Sequence, residues 1–198
     1  MRMFVSVELP DEVRNKLAEL IGELKNTGAA VKWVGENNLH ITLKFLGWVD
    51  DPKKDEVIEL TGKAASGTGK FKIKFEGVGT FPCPPAGAAG GKSPRVIWVG
   101  VSKGGDRLVK MAKALEKNLS QAGYKSEKRD FASHITIGRV NDPMQSGQEK
   151  KGVDKLIEKI GSFRSSEFGE MLVNQINVMQ SILTPKGPIY EKIKEVKI

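Results

Sequence analysis

The chain has a single cysteine, Cys83, and only two histidines, His40 and His134, among 198 residues. One thiol cannot form an internal disulfide framework, and it cannot supply the ligand set of a multi-cysteine zinc module. No run of about 18 apolar residues occurs, so the sequence offers no membrane-spanning helix. The opening MRMFVSVELPDE reaches a proline and two acids before the apolar core of a signal peptide could form. The expectation is a cytoplasmic protein. Disorder is also excluded, because hydrophobic residues make up 39% of the chain against 28% charged.

What is present in excess is positive charge. Lysine and arginine number 32 against 24 acids, a net charge of +8. Such a balance favours polyanionic partners, nucleic acid or nucleotides first, although a solvated lysine-rich face produces the same count. The length suits one or two domains with a real core.

An internal repeat organises the chain. His40-Ile41-Thr42-Leu43 and His134-Ile135-Thr136-Ile137 lie 94 residues apart. The same offset lays Phe4-Val5-Ser6-Val7 on Trp98-Val99-Gly100-Val101, both with the composition of short strands. It also lays Asp11 to Lys25 on Gly105 to Leu119. Each has apolar residues at helical spacing: Val13, Leu17, Leu20, Ile21 and Leu24 in the first, Leu108, Met111, Ala112, Leu115 and Leu119 in the second. Second helices are predicted at Pro52 to Ala65 and Val153 to Ile160, and further strands at Lys70 to Glu76, Met171 to Ser181 and Ile189 to Ile198. The fold expected is α+β: two pseudo-twofold-related β-α-β-α-β lobes with antiparallel sheets around a central cleft. Residues 1–198 form one two-lobed unit, with a first repeat over about 1–81, a loop over 82–94 and a second repeat over about 95–198. Neither half has strands enough for a large sheet of its own, so the final strands are candidates to cross between lobes.

Side chains alternate along a strand. Over Leu39 to Phe45 the apolar face would carry Leu39, Ile41, Leu43 and Phe45, and the other face His40, Thr42 and Lys44. In the second copy Ser133, Ile135 and Ile137 oppose His134, Thr136 and Gly138. If the two copies face one another, two imidazoles and two hydroxyls line one cleft. Imidazole titrates near neutrality, so one can act as base and the other as acid on opposite sides of a phosphate. Thr42 and Thr136 would hold its oxygens as charge builds on phosphorus. This scheme requires no metal, and two histidines without carboxylate or thiolate company are too few to bind one. A duplicated His-Thr pair with a purely structural role is the alternative.

The two H-x-T-x motifs resemble those of the two-histidine phosphoesterases. Trp33-Val34 followed by Asn38 to Gly47, and His134-Ile135-Thr136-Ile137-Gly138-Arg139, are similar to the two signatures of the LigT/ThpR branch, and the likeness covers nearly the whole chain. The resemblance implies a bilobal RNA 2′,3′-cyclic phosphodiesterase that leaves a 2′-phosphate. Its partner would be RNA with a terminal 2′,3′-cyclic phosphate, tRNA fragments among the candidates, and no cofactor is implied. In this chain His40 would be the acid that protonates the leaving 3′ oxygen, and His134 the base that activates water. Arg139 has the wrong strand parity for the cleft unless a bend at Gly138 turns it toward the phosphate. Lys44 has cleft parity and is a candidate contact to the RNA backbone. Phe131 and Trp33 could stack a base or pack at the rim, and Lys92 and Arg95 flank the expected loop. The chain is expected to act as a monomer. Two competing functions follow from the same residues: 2′-5′ RNA ligation of tRNA halves, and non-catalytic binding of RNA or nucleotides in a phosphate pocket.

Overall fold

Helical periods and strand alternation become α-helices and β-strands in a computed structural model. It describes residues 1–82, 94–141, 147–185 and 187–198, and for 147–151 the helical backbone alone. In order these are β1 (Arg2–Glu8), α1 (Asp11–Lys25), β2 (Val31–Trp33), β3 (His40–Trp48), α2 (Lys54–Ala65), β4 (Phe71–Phe81), β5 (Val96–Lys103), α3 (Gly105–Gln121), β6 (His134–Val140), α4 (Gly147–Ser162), β7 (Glu167–Val173), β8 (Gln175–Thr184) and β9 (Gly187–Lys197). The expected loop over 82–94, with Cys83 and Lys92, lies outside the described residues except at its two ends.

The two long amphipathic helices form where the apolar spacing predicts them. In α1, Val13, Leu17, Leu20, Ile21 and Leu24 are buried. Pro10 precedes the first turn, which carries Asp11 and Glu12, and Lys25 closes the last, so both ends complement the helix dipole. In α3, Leu108, Met111, Ala112, Leu115 and Leu119 are buried. These stripes pack on strand faces formed by Val5, Val7, Ile41, Leu43, Val99, Ile135 and Ile137, all of one core. None of the helices described is long and apolar enough to cross a membrane.

Every strand pairing is antiparallel, and the strands form one continuous sheet in the order β7-β4-β5-β6-β3-β1-β8-β9, with β2 added alongside β6. A separate sheet for each half of the sequence is therefore not what forms. The two halves join where β3 meets β6 through a single residue pair, Ile41 and Ile135. Strand β4, from the first half, pairs with β5 and β7 of the second. Strand β8, from the second half, pairs with β1 of the first. The strand predicted over Met171 to Ser181 is in fact two, β7 and β8, split at Asn174. That split fixes the shape of the sheet. Strands β7 and β8 are six steps apart along it, roughly 29 Å if it were flat. One intervening residue spans only a few ångströms. The sheet must curl until its ends approach.

Candidate active site

The junction of the two halves is where the His-Thr motifs lie. Ile41 and Ile135 point into the core and are fully buried. Their neighbours therefore point to the opposite face, where His40, Thr42, His134 and Thr136 are all half-buried. Carrying the register one residue either way sets His40 across from Thr136 and Thr42 across from His134. The two histidines then stand on a diagonal, roughly 7–8 Å apart at the backbone in a regular ladder.

Both imidazoles are held by the same local device. His40 Nδ1–H donates to the Asn38 carbonyl at 2.7 Å, and His134 Nδ1–H donates to the Ala132 carbonyl at 2.6 Å. In each case the acceptor is the carbonyl two residues earlier. A carbonyl can only accept, so Nδ1 keeps its proton and Nε2 is the nitrogen that gains or loses one. His40 Nε2 lies 2.9 Å from the Thr42 hydroxyl. Each ring also meets an aromatic edge nearly at right angles. Tyr190 meets His40 at 5.2 Å and 88°, and Phe81 meets His134 at 5.3 Å and 86°. Each of these aromatics comes from the other half of the chain, because β4 and β9 take their places in the sheet beyond the halves that encode them. Phe4 packs on His40, Tyr190 and Phe45, and its repeat counterpart Trp98 packs on Phe81. Gly79 lies beneath the Trp98 indole, where a Cβ would collide with the ring.

Burial holds both imidazoles below the usual histidine value. The neighbouring charges differ in sign. At His40 the hydrogen bond to Asn38 and the Glu8 carboxylate work upward against burial. At His134 the hydrogen bond to Ala132 works upward, while the positive charge of Arg139 adds to the downward effect of burial. Glu8 is itself paired with Lys192 at 2.7 Å.

Arg139 and Lys44 exchange the faces that simple alternation predicts for them, and one backbone feature causes both. Between Val5–Lys44 and Ser6–Thr42 the register of β1 and β3 slips by one residue, a β-bulge at Leu43. Between Ile97–Gly138 and Trp98–Thr136 the register of β5 and β6 slips in the same way, at Ile137. Leu43 and Ile137 are equivalent residues of the repeat. After each bulge the parity inverts. Lys44 turns into the core side with its side chain 2% exposed, pairs with Glu116 of α3 at 2.8 Å and donates to the Lys125 carbonyl at 2.6 Å. It is not on the histidine face, and the expected contact of Lys44 with RNA is withdrawn. Phe45, given a core position by alternation, is 57% exposed on the histidine face. Arg139 is the counterpart of Phe45 and is likewise exposed on that face. Its charge acts on His134 and on Tyr190, so it reaches both halves of the site. The bend expected at Gly138 is the bulge one residue earlier. Gly138 itself leaves space for Val31 and Trp33, whose atoms a Cβ there would meet at 2.8 and 2.9 Å. Trp33 and Phe131 are partly buried against the core, and Arg95 is exposed. Among the described residues, no group of three or more His, Cys, Asp or Glu could hold a metal ion.

The sequence reading missed Glu8, Tyr190, Phe81 and Phe4. Only Phe4 had a usable signal, its alignment with Trp98 in the repeat.

A family model described as LigT like Phosphoesterase matches residues 7–88 and 99–190. The chain belongs to the LigT-like phosphoesterase family. Among its LigT-like relatives, the RNA 2′,3′-cyclic phosphodiesterase of Archaeoglobus fulgidus is 38% identical over 194 residues, 98% of each chain. The protein of the same name from Methanocaldococcus jannaschii is 36% identical over 195 residues, 98% of this chain and 99% of that one. The LigT-like fold is shared with solved structures. A protein of Thermus thermophilus superposes with a TM-score of 0.77 at 24% identity, covering 100% of this chain and 97% of that one. E. coli LigT, solved with 3′-AMP, does so with a TM-score of 0.75 at 21% identity, over 100% and 97%.

Proposed function

We propose that this LigT-like chain hydrolyses RNA terminal 2′,3′-cyclic phosphates to 2′-phosphates by paired histidine acid–base catalysis that needs no metal. The observation that carries this reading is the common face of His40, Thr42, His134 and Thr136, each imidazole with Nδ1 tied to a carbonyl and Nε2 left for proton transfer. The full-length relatives named for this activity support it, and so does the net charge of +8.

In the reaction, water attacks phosphorus in line with the 3′ oxygen. His134 Nε2 takes the proton of that water as the new P–O bond forms. The P–O3′ bond breaks, and His40 Nε2 gives its proton to the departing 3′ oxygen. The product carries a 2′-phosphate and a free 3′-hydroxyl. Thr42, Thr136 and Arg139 hold the non-bridging oxygens, where negative charge grows. Glu8 favours the protonated form of His40, and Arg139 the neutral form of His134, which supports acid and base in those roles. The symmetry of the sheet order about the β6–β3 seam supports two pseudo-twofold lobes, one of β3, β1, β8 and β9 and one of β6, β5, β4 and β7.

The test is product analysis on a short RNA ending in a 2′,3′-cyclic phosphate, with and without chelator. A 2′-phosphate in both conditions is the expected result. A 3′-phosphate would reverse the leaving oxygen. A joined strand formed with a 5′-hydroxyl RNA would mean that ligation, the same step with another nucleophile, is the activity. Bound but unaltered RNA would overturn the catalytic reading.

A further inference from the structure

Strand β3 carries a row of side chains on the histidine face that extends past the His-Thr pair. A second slip in register, between Met3–Gly47 and Phe4–Phe45, places another bulge at Leu46. With bulges at Leu43 and Leu46, residues His40, Thr42, Phe45 and Trp48 pair in turn with Glu8, Ser6, Phe4 and Arg2 of β1. Those β1 residues alternate with the core residues Met3, Val5 and Val7, so all four partners on β3 share the histidine face. The bulges keep in phase a row that would otherwise have turned into the core. Against the partners on β1 its steps are two residues each, about 6.7 Å, which is close to the advance of an extended polynucleotide per nucleotide.

The outer half of the row is aromatic and open. Phe45 is 57% exposed and Trp48 is 74% exposed. Phe4 lies under Phe45 at 6.2 Å and supports it from below. Large rings left in solvent beside a polar site call for a partner with flat apolar faces. A cation flanks them: Arg2 is directly across from Trp48. At the opposite end of the row His40 lines a partly open pocket of about 70 Å³ with Glu8, Arg14, Asn37 and Tyr190 among others.

We infer that Phe45 and Trp48 form a stacking track for the nucleotides on the 5′ side of the terminal one, with Arg2 on their phosphates. The inference rests on the reading of the His-Thr face as the cyclic-phosphate site. It makes the protein an enzyme of RNA ends that recognises at least one nucleotide upstream and discriminates against mononucleotides. Stacking tolerates any base, so the track selects for length more than for sequence.

The experiment measures two quantities on wild type and on Trp48→Ala, Phe45→Ala and Trp48→Tyr. The first is the Kd of a 5′-fluorescein adenosine trinucleotide ending in a 2′-phosphate, by anisotropy. The second is the ratio of kcat/KM for a trinucleotide with a 2′,3′-cyclic phosphate to that for 2′,3′-cyclic AMP. Both rings are exposed, so the variants keep the fold, and thermal melts check this. Trp48→Ala is expected to weaken trinucleotide binding about tenfold and to lower the ratio by a similar factor through KM, with Phe45→Ala close behind and Trp48→Tyr restoring most of the loss. Trinucleotide binding and ratio that are unchanged in both alanine variants overturn the track. Binding that depends on Trp48 without turnover of either substrate sustains the track and overturns the catalytic reading instead.

Discussion

The two copies of the repeat share a backbone and differ in what the backbone presents. Each runs through His-Ile-Thr, bulges at the next residue and then inverts its parity. In β3 the inversion sends Lys44 into a pair with Glu116 and leaves Phe45 on the open face. In β6 it puts Gly138 against β2 and brings Arg139 to the open face. The positions are equivalent, but one offers a ring and the other a guanidinium. The histidines diverge in the same manner, with Glu8 acting on His40 and Arg139 on His134. The repeat supplies a symmetric frame, and a few side chains around it give two like imidazoles neighbouring charges of opposite sign.

The most severe way to break this comparison is to remove each imidazole. His40→Ala and His134→Ala are each expected to lower kcat on cyclic-phosphate-ended RNA by about 10²- to 10⁴-fold. If one variant kept near-normal turnover, the two copies would not share the proton transfers. Arg139→Gln comes next, with kcat/KM falling about ten- to a hundredfold from the lost charged contacts. Its pH profile sharpens the assignment. Arg139 depresses the His134 value, so its removal raises that value, and the acid limb of the bell moves to higher pH if His134 is the base. Movement of the alkaline limb would exchange the roles.

Glu116→Ala tests the buried side of the bulge in β3. It leaves the Lys44 ammonium buried with a single carbonyl partner, and a loss of about 3 kcal/mol in denaturant unfolding is expected. Glu116 also gives this pair a pH signature. Burial pushes its carboxyl up, but the hydrogen bond from Lys44, the Glu127 N–H and the Lys44 charge outweigh burial and hold it below the usual value. The pair's contribution is therefore complete above the unfolded carboxyl value and fades as the pH falls through the lower folded one. Glu8→Gln carries the smallest effect. Loss of its charge lowers the His40 value, and the alkaline limb shifts down by less than about one pH unit, as checked by kcat/KM profiles. A fixed limb would mean that Lys192 already cancels the carboxylate.

Much of the frame was legible in the sequence. The offset between His40 and His134 aligned strands and helices correctly, and the apolar stripes of α1 and α3 are those the spacing predicts. Local period reveals local structure. The bulges were not legible, because Leu43 and Ile137 are ordinary strand residues and a one-residue slip leaves no compositional trace. Alternation therefore failed just past each threonine, at Lys44, Phe45 and Arg139. Strand exchange was only hinted at by the shortage of strands in each half. The partnerships of Tyr190 with His40 and Phe81 with His134 depend on pairing between residues about 150 and 50 positions apart, which no local pattern encodes.

The crossing of β4 and β8 between the halves has a consequence for how such a protein can be made and broken. A fragment ending after residue 81 would own one histidine but not the tyrosine that flanks it, and would present β4 with neither neighbour, an open edge prone to aggregate. The complementary fragment would carry the other histidine stripped of Phe81. The repeat reads as two units on paper, yet proteolysis between them would not yield two half-enzymes. It would yield two pieces that become competent only by finding one another again.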